Sequence, residues 1–411
     1  MEYKELSKLL PMSSSLDRFA EVDLQAEYRR SMPSSFDIGV DAANGRLFVA
    51  MPREMSVLYE RVLRTERKVS TMMLSIPLIA QMAFTRSLVL EEVVNTNAIE
   101  DIHSTRRQAK EALDSAAGGS AHLRRFKELA RLTSNSARPS TKCPAPPDDI
   151  RAIYDKAMDG EPSESKKPDG RLFRAEGADI TAGGVKVVHS GLEPKDRIIE
   201  AMEQMLGLVR RDDMPEAISA IASHYVFEYA HPFYDGNGRT GRYLLSLFLS
   251  EAFSAPTVLS LSRAIAENRD VYYRAFKTVE DPLNRGELTF FVYNLLELVR
   301  LAQMGVIDSV ERSKASFEAM SGKMKDLVAR FKLSEKEACL VFALSQFELF
   351  GMFGSASLDE LAQSIDLGKQ MTRKHISALE KKDIVRKTGY RPAAFALTDE
   401  AKDALGRDGK Q

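Results

Sequence analysis

The residues His231 to Arg242 bring together side chains that could act jointly on a phosphate group. The segment reads HPFYDGNGRTGR and holds an imidazole, a carboxylate, three glycines and two guanidinium groups. Transfer of a nucleotidyl group needs a base for the attacking hydroxyl, a cradle for phosphate oxygens, a metal ligand and cations for the departing phosphates. The segment contains a candidate for each of these tasks.

Each side chain of this segment suggests its own role. His231 is the candidate base, because an imidazole with its ordinary pKa of ~6.5 accepts protons near neutrality. Asp235 offers the hard carboxylate oxygen that Mg²⁺ prefers. The glycines at 236 and 238 let backbone N–H groups turn toward an anion. If a helix begins near Arg239, its N-terminus provides a second site for an anion. Arg239 and Arg242 are three residues apart, so both could reach phosphate oxygens from one helix face.

The glycines alone would also fit other kinds of site. Gly236, Gly238 and Gly241 match the GxGxxG pattern, but a dinucleotide-binding fold needs a preceding strand, and here a helix is predicted before them. A P-loop needs a Gly-Lys-Ser or Gly-Lys-Thr sequence, which does not follow these glycines. The structural alternative is a turn between helices with a buried histidine. The combination of His231, Asp235 and two arginines favours catalysis over that alternative.

The same segment resembles the signature of the Fic family, HPFx(D/E)GNGRxxR, at every defined position. The stretches RLFR and VKVVHSG before it and ENRDVYYRAF after it resemble the neighbours of that signature in Fic domains. The resemblance covers about residues 85–300. It implies transfer of AMP from ATP to a Ser, Thr or Tyr hydroxyl of a protein, with release of pyrophosphate and with Mg²⁺ at the site.

The resemblance also implies a role for each residue of the loop. His231 would be the general base, and Asp235 would be the Mg²⁺ ligand. The phosphates would be held by Gly236, Asn237 and Gly238 on the α-phosphate side and by Arg239 and Arg242 on the β- and γ-phosphate side.

Two further elements of the site are implied in the same way. A hairpin would act as a flap that docks an extended segment of the target by main-chain pairing, as in β-augmentation. The flap residues would be Val185, Lys186, Val187, Val188 and His189. Tyr272 and Tyr273 would border the adenine, although two tyrosines in a helix more often belong to the core.

An upstream segment, VVNTNAIED, carries Thr96 and Glu100 four residues apart, on one face of a predicted helix. By residue type alone, Glu100 would be a surface glutamate. The segment resembles the inhibitory motif (S/T)xxxE(G/N) of Fic proteins, in which the glutamate pairs with the second arginine of the loop, here Arg242. Such a pair would withdraw a cation from the γ-phosphate. Asp101 departs from the motif, and its charge could weaken or reposition the glutamate.

The elements that must position these residues are mostly helices. They are predicted at 193–211, 215–230, 263–280, 286–304 and in RTGRYLLSLFLSEAF, with GGVKVVHS as a hairpin strand. Residues 1–50 are expected to be polar and irregular. The predicted fold class is mainly α: a Fic-type helical core with a small β-hairpin flap and a C-terminal winged helix–turn–helix domain.

Four regions are predicted along the chain. An N-terminal helical region, 1–133, carries the inhibitory helix at about 90–110, and a Fic catalytic domain follows at 134–304. The Pro- and Ser-rich stretch SNSARPSTKCPAPPDD separates them. A helical connector at 305–332 leads to the winged-helix domain at 333–411.

The C-terminal region carries a local excess of positive charge. The segment from Lys369 to Arg391 contains eight basic and two acidic residues. A recognition helix and a wing would lie in this segment. The candidate DNA contacts are Lys369, Arg373, Lys374, Arg386 and Lys387. A module for protein contact or dimer formation is an equally good interpretation.

Composition limits the classes of partner. The net charge of −1 over 411 residues gives no overall case for nucleic acid or membrane. Cys143 and Cys339 are far apart and lack metal-ligand spacing, so neither a disulfide framework nor a zinc site is expected. The apolar run 72–84 is shorter than the ~20 residues of a membrane span, and no signal peptide is recognised. We therefore expect a cytoplasmic protein with no membrane partner.

Three functions remain open from the sequence. The leading one is an ATP- and Mg²⁺-dependent protein adenylyltransferase, restrained by Glu100 and acting on a target protein or on itself. The second is a DNA-binding regulator whose central domain senses nucleotide, which would not need His231 as a base. The third is an enzyme that uses the same site to remove AMP or to transfer another phosphate-containing group. A homodimer is compatible with each of them.

Overall fold

The computed structural model describes residues 2–114, 143–158, 167–182, 186–390 and 393–406. Within these ranges the chain is mainly helical with three small antiparallel sheets, so the predicted mainly α fold class is confirmed. Most of the Pro- and Ser-rich stretch, and Val185 of the predicted flap, lie outside the described residues.

The first fifty residues contain regular structure. Helices α1 (Leu6–Leu9) and α2 (Arg18–Ser31) precede a hairpin of β1 (Ser35–Ala42) and β2 (Gly45–Ala50). The overlooked signal is the Asn-Gly pair at 44–45, which is typical of tight hairpin turns, and Gly45 has a φ of 132°. The expectation of an irregular N-terminal segment is therefore wrong.

This hairpin packs on the start of the longest helix. The backbone of Phe48 donates to the carbonyl of Gly286 at 3.1 Å and accepts from the amide of Leu288 at 2.8 Å. Nearby, Arg29 and Glu287 form a buried ion pair of 2.7 Å. The N-terminal elements therefore belong to the same core as the central helices.

Three long helices form the frame of the molecule. They are α3 (Arg53–Leu74), α4 (Leu78–Ile99) and the 43-residue α13 (Thr289–Phe331). Pro77 separates α3 from α4 because it cannot continue a helix. Between α4 and α13 lie α5 (Arg106–Asp114), α6 (Pro147–Ala157), α7 (Lys195–Leu208), α8 (Glu216–Ala230), α9 (Asn237–Leu249), α10 (Ala255–Leu259), α11 (Leu261–Glu267) and α12 (Arg269–Glu280).

Helices α8 and α9 form the buried centre, with the loop of the motif between them. In α8, all residues from Ala217 to Phe227 are buried, as expected for a helix that is apolar on most sides. The two helices pack closely at Gly241, where a Cβ would lie 2.8 Å from a ring carbon of Phe227. Two rigid helices thus fix both ends of the loop. The hairpin of β3 (Asp179–Ala182) and β4 (Lys186–Ser190) precedes α7, close to where the flap is predicted.

Helix α13 crosses the predicted domain border at 304/305 without a break. The predicted connector, 305–332, is the second half of this helix and ends at Lys332, which has a φ of 48°. Helix α14 (Glu335–Phe350) then begins with a capping box formed by Ser334 and Glu337. The division into four regions stays a prediction.

The C-terminal elements include three helices followed by two paired strands, in the predicted order, and the winged-helix assignment stays a prediction. After α14 come β5 (Ser355–Ser357), α15 (Leu358–Ser364), α16 (Lys369–Lys381), β6 (Val385–Tyr390), β7 (Ala393–Leu397) and α17 (Asp399–Ala404). The strands form one antiparallel sheet in the order β5-β7-β6. Strand β5 was not predicted, because three residues give no alternating pattern.

The C-terminal elements hold the first half of α4. Its Ala80 amide donates to the Gln346 side chain at 3.1 Å, and the Ser87 hydroxyl accepts from the Met352 amide at 2.7 Å. Arg86 pairs with Glu360. The helix whose last turns carry Thr96 and Glu100 is thus fixed to the C-terminal elements at its other end.

Within the described part of the chain, one helix, α13, is long and apolar enough to span a membrane. The most apolar window of α13 has a mean hydropathy of 1.4, and 56% of that window is buried inside the protein. A buried core helix of this length passes the same test, so the result is weak evidence for a membrane span.

Candidate active site

The loop of the motif begins where α8 ends, at His231. This residue takes a left-handed conformation, with φ 49° and ψ 61°. Pro232 explains the end of the helix, because proline disfavours helical geometry in the residue before it. The His231 amide still donates to the Phe227 carbonyl at 3.0 Å, which ties the residue to the rigid helix. Its imidazole lines a cavity of about 360 Å³.

This cavity brings together most of the residues predicted from the sequence. The loop contributes His231, Asp235, Gly236, Asn237, Gly238 and Arg242. The other predicted residues that line it are Glu100, His189, Tyr272 and Tyr273. Sequence positions from 100 to 273 therefore converge on one site, next to the beginning of α9.

The side chain of Asn237 closes the loop. Its Oδ1 accepts from the Phe233 amide at 2.9 Å, and its Nδ2 donates to the Phe233 carbonyl at 2.7 Å. The Phe233 ring is buried and stacks on Tyr154 with 3.7 Å between ring centroids. We expected Asn237 to hold the α-phosphate, but its side chain is occupied in holding the turn. The backbone amide is the part of Asn237 available to an anion.

The start of α9 leaves room for an anion at Gly238. First-turn amides of a helix have no partner inside the helix, and the helix dipole favours negative charge there. A Cβ on Gly238 would overlap Oε1 of Glu100 and lie 2.9 Å from Nη1 of Arg242. The glycine is therefore required for the close approach of a carboxylate or a phosphate. Gly236 has a φ of 78° and supplies the turn into the helix.

Arg242 is bound on three sides by the end of α4. Its Nη1 lies 2.8 Å from Oε1 of Glu100, its Nε donates to the Thr96 hydroxyl at 2.9 Å, and its Nη2 donates to the Thr96 carbonyl at 2.9 Å. Burial is the largest single effect and disfavours the charge of Arg242, but its acidic neighbours, with Glu100 the strongest of them, together outweigh burial and raise the arginine's pKa. The predicted residue pair is thus formed.

Asp101, the departure from the inhibitory motif, points away from this pair. It takes a φ of 55°, a left-handed conformation that glycine, asparagine and aspartate tolerate best. Its carboxylate pairs with Arg269 at 3.0 Å and is largely exposed. The expected disturbance of Glu100 by this charge is therefore absent from the structure, because Asp101 has its own cationic partner.

His231 is held in an environment that disfavours its protonated form. Burial is the largest cause, followed by the nearby positive charges of His189 and Arg174, and together they lower the His231 pKa to about 4. The imidazole is therefore neutral at neutral pH, which is the form that a general base needs.

Arg174 positions the backbone of the loop, and our sequence analysis did not single it out. The guanidinium is fully buried; its Nε donates to the His231 carbonyl at 2.7 Å and its Nη2 to the Leu192 carbonyl at 2.8 Å. The Arg174 amide donates to the Pro232 carbonyl at 3.0 Å. The only sequence signal was its place in the RLFR stretch.

Glu228 is the second residue that sequence reasoning missed. It lies one helical turn before His231, lines the cavity, and its Oε1 is buried without a hydrogen-bond partner among the described residues. Burial, with the negative charge of Glu100, raises the Glu228 pKa to about 8, although Arg242 opposes this. The cavity therefore contains a carboxyl group that stays protonated at neutral pH.

The two tyrosines of α12 differ in their environment. Tyr272 is buried, and its hydroxyl lies 2.8 Å from Nε2 of His224. Tyr273 is 41% exposed, and its hydroxyl donates to the Ile99 carbonyl at 3.4 Å. Both line the cavity, but Tyr273 is the one with an accessible ring.

Asp235 fits the task of holding Mg²⁺ together with a bound nucleotide. It lines the cavity, and its Oδ1 accepts from the Gly236 amide at 2.7 Å, which fixes the carboxylate. Mg²⁺ is usually held by one or two carboxylates plus phosphates and water. No group of three or more acidic, His or Cys residues that could hold a metal by itself occurs in the described ranges. Arg239 is buried and does not contribute to the cavity lining, unlike the prediction that it faces the phosphates.

The predicted flap is described in part. Strands β3 and β4 pair as a hairpin, and His189 lies opposite Ile180. The His189 ring faces the cavity and is 6.5 Å from the ring of His231, measured between centroids.

The protein is thus a helical protein with one cavity at the start of α9, where the first-turn amides could bind an anion. The neutral imidazole of His231 and the carboxylate of Asp235 line the same cavity. Residues 144–249 match the model of the Fic/DOC family, a range that includes α6 to α9 and the whole loop. Domains of this family generally transfer a nucleoside monophosphate to their targets.

Several solved structures are similar to this chain. A Fic family protein from Desulfovibrio desulfuricans G20 has 18% identity and a TM-score of 0.49, covering 85% of this chain and 97% of that one. Fic-1 (residues 134–508) from C. elegans has 18% identity and a TM-score of 0.46, covering 63% and 74%. A Fic domain containing signaling protein from Bacteroides thetaiotaomicron has 15% identity and a TM-score of 0.45, covering 62% and 97%. Likenesses at this level identify neither an activity nor a substrate.

Proposed function

We propose that this protein is a Fic-type adenylyltransferase that transfers AMP from ATP to a hydroxyl group of a target protein or of itself. The observation that carries the proposal is the common cavity of His231 and the start of α9, with a carboxylate from α4 paired to Arg242. A site with a base, an anion-binding helix start and a buried cation supports phosphoryl chemistry.

In the proposed reaction, the target hydroxyl oxygen forms a bond to the α-phosphorus of ATP. The bond from the α-phosphorus to the bridging oxygen breaks, and pyrophosphate leaves with its electrons. His231 accepts the hydroxyl proton on its neutral imidazole. Asp235 would hold Mg²⁺, which supplies positive charge for the phosphates. Arg242 would stabilise the charge on the departing phosphates once it is released from Glu100.

We also propose that Glu100 restrains the enzyme. Its carboxylate neutralises Arg242 and lies against Gly238, at the helix start where phosphate oxygens would bind. ATP and Glu100 then compete for the same cation. With Glu100 in place, the triphosphate loses a charge partner and meets a negative charge.

The test uses labelled ATP and four forms of the full chain. We expect Glu100→Gly to incorporate at least ten times more label than wild type, and Glu100→Gly/His231→Ala to lose that gain while still binding ATP in calorimetry. Glu111→Gly is the matched control, since Glu111 is exposed on α5. Equal transfer with and without His231 would overturn its role as base. ATP binding with no transfer in any form would instead favour the nucleotide-sensing regulator.

For the C-terminal elements we propose binding to duplex DNA. The exposed basic side chains of α16 and β6 are Lys369, Arg373, Lys374, Lys381, Arg386 and Lys387. Lys369, also predicted as a contact, is exposed but pairs with Asp359 at 2.8 Å. An exposed basic helix followed by a basic strand suits a recognition helix with a wing.

Binding of the full chain to duplex DNA should weaken steeply as salt rises, because phosphate contacts release counterions. Arg373→Glu/Lys374→Glu should weaken binding at least tenfold, whereas Lys336→Glu on α14 should leave it nearly unchanged. Lack of binding at low salt would reject the DNA proposal in favour of a protein-contact module.

A further inference from the structure

His189 joins the flap hairpin to the helical core beside His231. Its Nδ1 lies 2.9 Å from Oε1 of Glu280, and its Nε2 lies 2.9 Å from the Tyr229 carbonyl oxygen. Both partners accept hydrogen bonds. A neutral imidazole has one N–H and one lone pair, so it can donate to one of them only. The imidazolium form, with two N–H groups, satisfies both.

The Tyr229 carbonyl has a further reason to attract a cation. It belongs to the last turn of α8, where carbonyls have no partner inside the helix and the helix dipole favours positive charge. The neighbouring Ala230 carbonyl accepts from Leu192 and Arg174. His189 and Arg174 are thus two cations that cap the same helix end.

The groups around His189 also favour its protonated, imidazolium form. Burial disfavours its charge, but the hydrogen bond and the negative charge of Glu280, with the hydrogen bond to the Tyr229 carbonyl, together outweigh burial and raise the His189 pKa. Facing it are Glu280 from α12, Tyr229 and Glu228 from α8, and His231 directly after α8, while β3 pairs with its backbone.

We propose that His189 is a positioning residue: a charged anchor that fixes the flap to α8 and α12 and keeps the neighbouring His231 free of a proton. The proposal rests on the proposed function for its catalytic meaning, because it concerns the readiness of His231 to accept a proton. It assigns to His189 a task distinct from main-chain docking of the target.

The direct test needs no substrate. In the full chain with labelled histidines, NMR titration follows each imidazole, with the exposed His103 as a reference signal. We expect His189 to titrate above its ordinary value in wild type and to lose this elevation in Glu280→Gln. In His189→Gln, loss of a cation at 6.5 Å should raise the proton affinity of His231 by about ten- to a hundredfold. A His189 that is neutral at pH 6, or a His231 unchanged in His189→Gln, would overturn the proposal.

The functional test uses the Glu100→Gly background and the pH dependence of label transfer. In His189→Gln the acidic limb of the profile should move to higher pH, and the KM for the target should rise because the flap loses its anchor. His189→Arg keeps the charge and should restore the acidic limb. A His189→Gln profile that keeps the wild-type limb would reject the anchor. If the NMR shifts occur but no form transfers label, the proposed function fails while the anchor stands.

Discussion

Nη1 of Arg242 lies 2.8 Å from Oε1 of Glu100, and the same guanidinium binds both the hydroxyl and the carbonyl of Thr96. Three contacts from one helix end therefore hold a single buried arginine. A bound triphosphate would have to compete with Glu100 for the positive charge of Arg242. In our proposal, the end of α4 is the point at which the activity is restrained.

Replacing Thr96 by valine should release part of this restraint. Valine keeps the shape but removes the hydroxyl that accepts from Nε of Arg242, while the Thr96 carbonyl and Glu100 contacts remain. We expect transfer above wild type but below Glu100→Gly, with a loss of about 1–3 kcal/mol in the free energy of unfolding. Labelled-ATP assays and urea unfolding would measure both. The control Thr71→Val changes an exposed site on α3, and equal behaviour of the two variants would contradict the assignment.

Asp101→Asn should leave the restraint intact. Asparagine tolerates the left-handed conformation of residue 101, and the lost ion pair with Arg269 is largely exposed, so we expect a change in stability below about 1 kcal/mol. Transfer should stay within twofold of wild type. A rise comparable to that of Glu100→Gly would show that Asp101 takes part in the restraint after all.

Arg174→Ala should disorder the loop rather than alter its chemistry. The substitution leaves the carbonyls of His231 and Leu192 buried without a donor, and we expect a loss of about 3 kcal/mol in the free energy of unfolding. Thermal unfolding would show it, with Arg171→Ala, an exposed neighbour, as control. Two variants of equal stability would mean that the loop does not depend on Arg174.

Buried titratable groups set a pH window for stability. The pKa values of His231 and His224 fall to about 4 and about 3, below the ordinary 6.5, mainly because burial disfavours their charge. For the same reason, those of Glu228 and Glu92 rise to about 8 and about 7, above the ordinary 4.5. Below pH 4.5 the unfolded chain binds more protons than the folded chain, so stability falls as the pH is lowered. Above pH 6.5 the unfolded chain binds fewer protons than the folded chain, so stability falls as the pH is raised.

Between about pH 4.5 and 6.5 the two histidines and the two glutamates offset each other, so we expect a plateau in the free energy of unfolding. Urea unfolding from pH 3.5 to 8.5 would measure it. Glu228→Gln should reduce the loss on the alkaline side and should replace the plateau by a rise of stability with pH up to about 6.5, because one histidine is then no longer offset. An alkaline limb that is the same in wild type and Glu228→Gln would contradict the assigned protonation of Glu228.

Some features of this protein were predictable from short stretches of sequence, because their causes are local. Residues 215–230 indicate a helix that Pro232 ends at His231. The apolar residues on most sides of RTGRYLLSLFLSEAF indicate a buried helix after the loop. The glycines at 236 and 238 predict an open start for the next helix. The spacing of Thr96 and Glu100 places both on one helix face, and the resemblance names Arg242 as the partner that the structure shows.

Tertiary packing decided the rest, since its contacts join residues far apart in the chain. Arg174 reaches the loop from 57 residues away, and Arg242 meets Thr96 across 146 residues. Residue type does not reveal which neighbours surround a side chain. Such neighbours decide that the Asn237 side chain binds Phe233, that Arg239 is buried, and that Tyr272 is buried while Tyr273 is partly exposed. The sequence by itself determined which groups are available for chemistry. Only the tertiary structure decided which of them face the cavity, because burial and partners are set by how the helices pack.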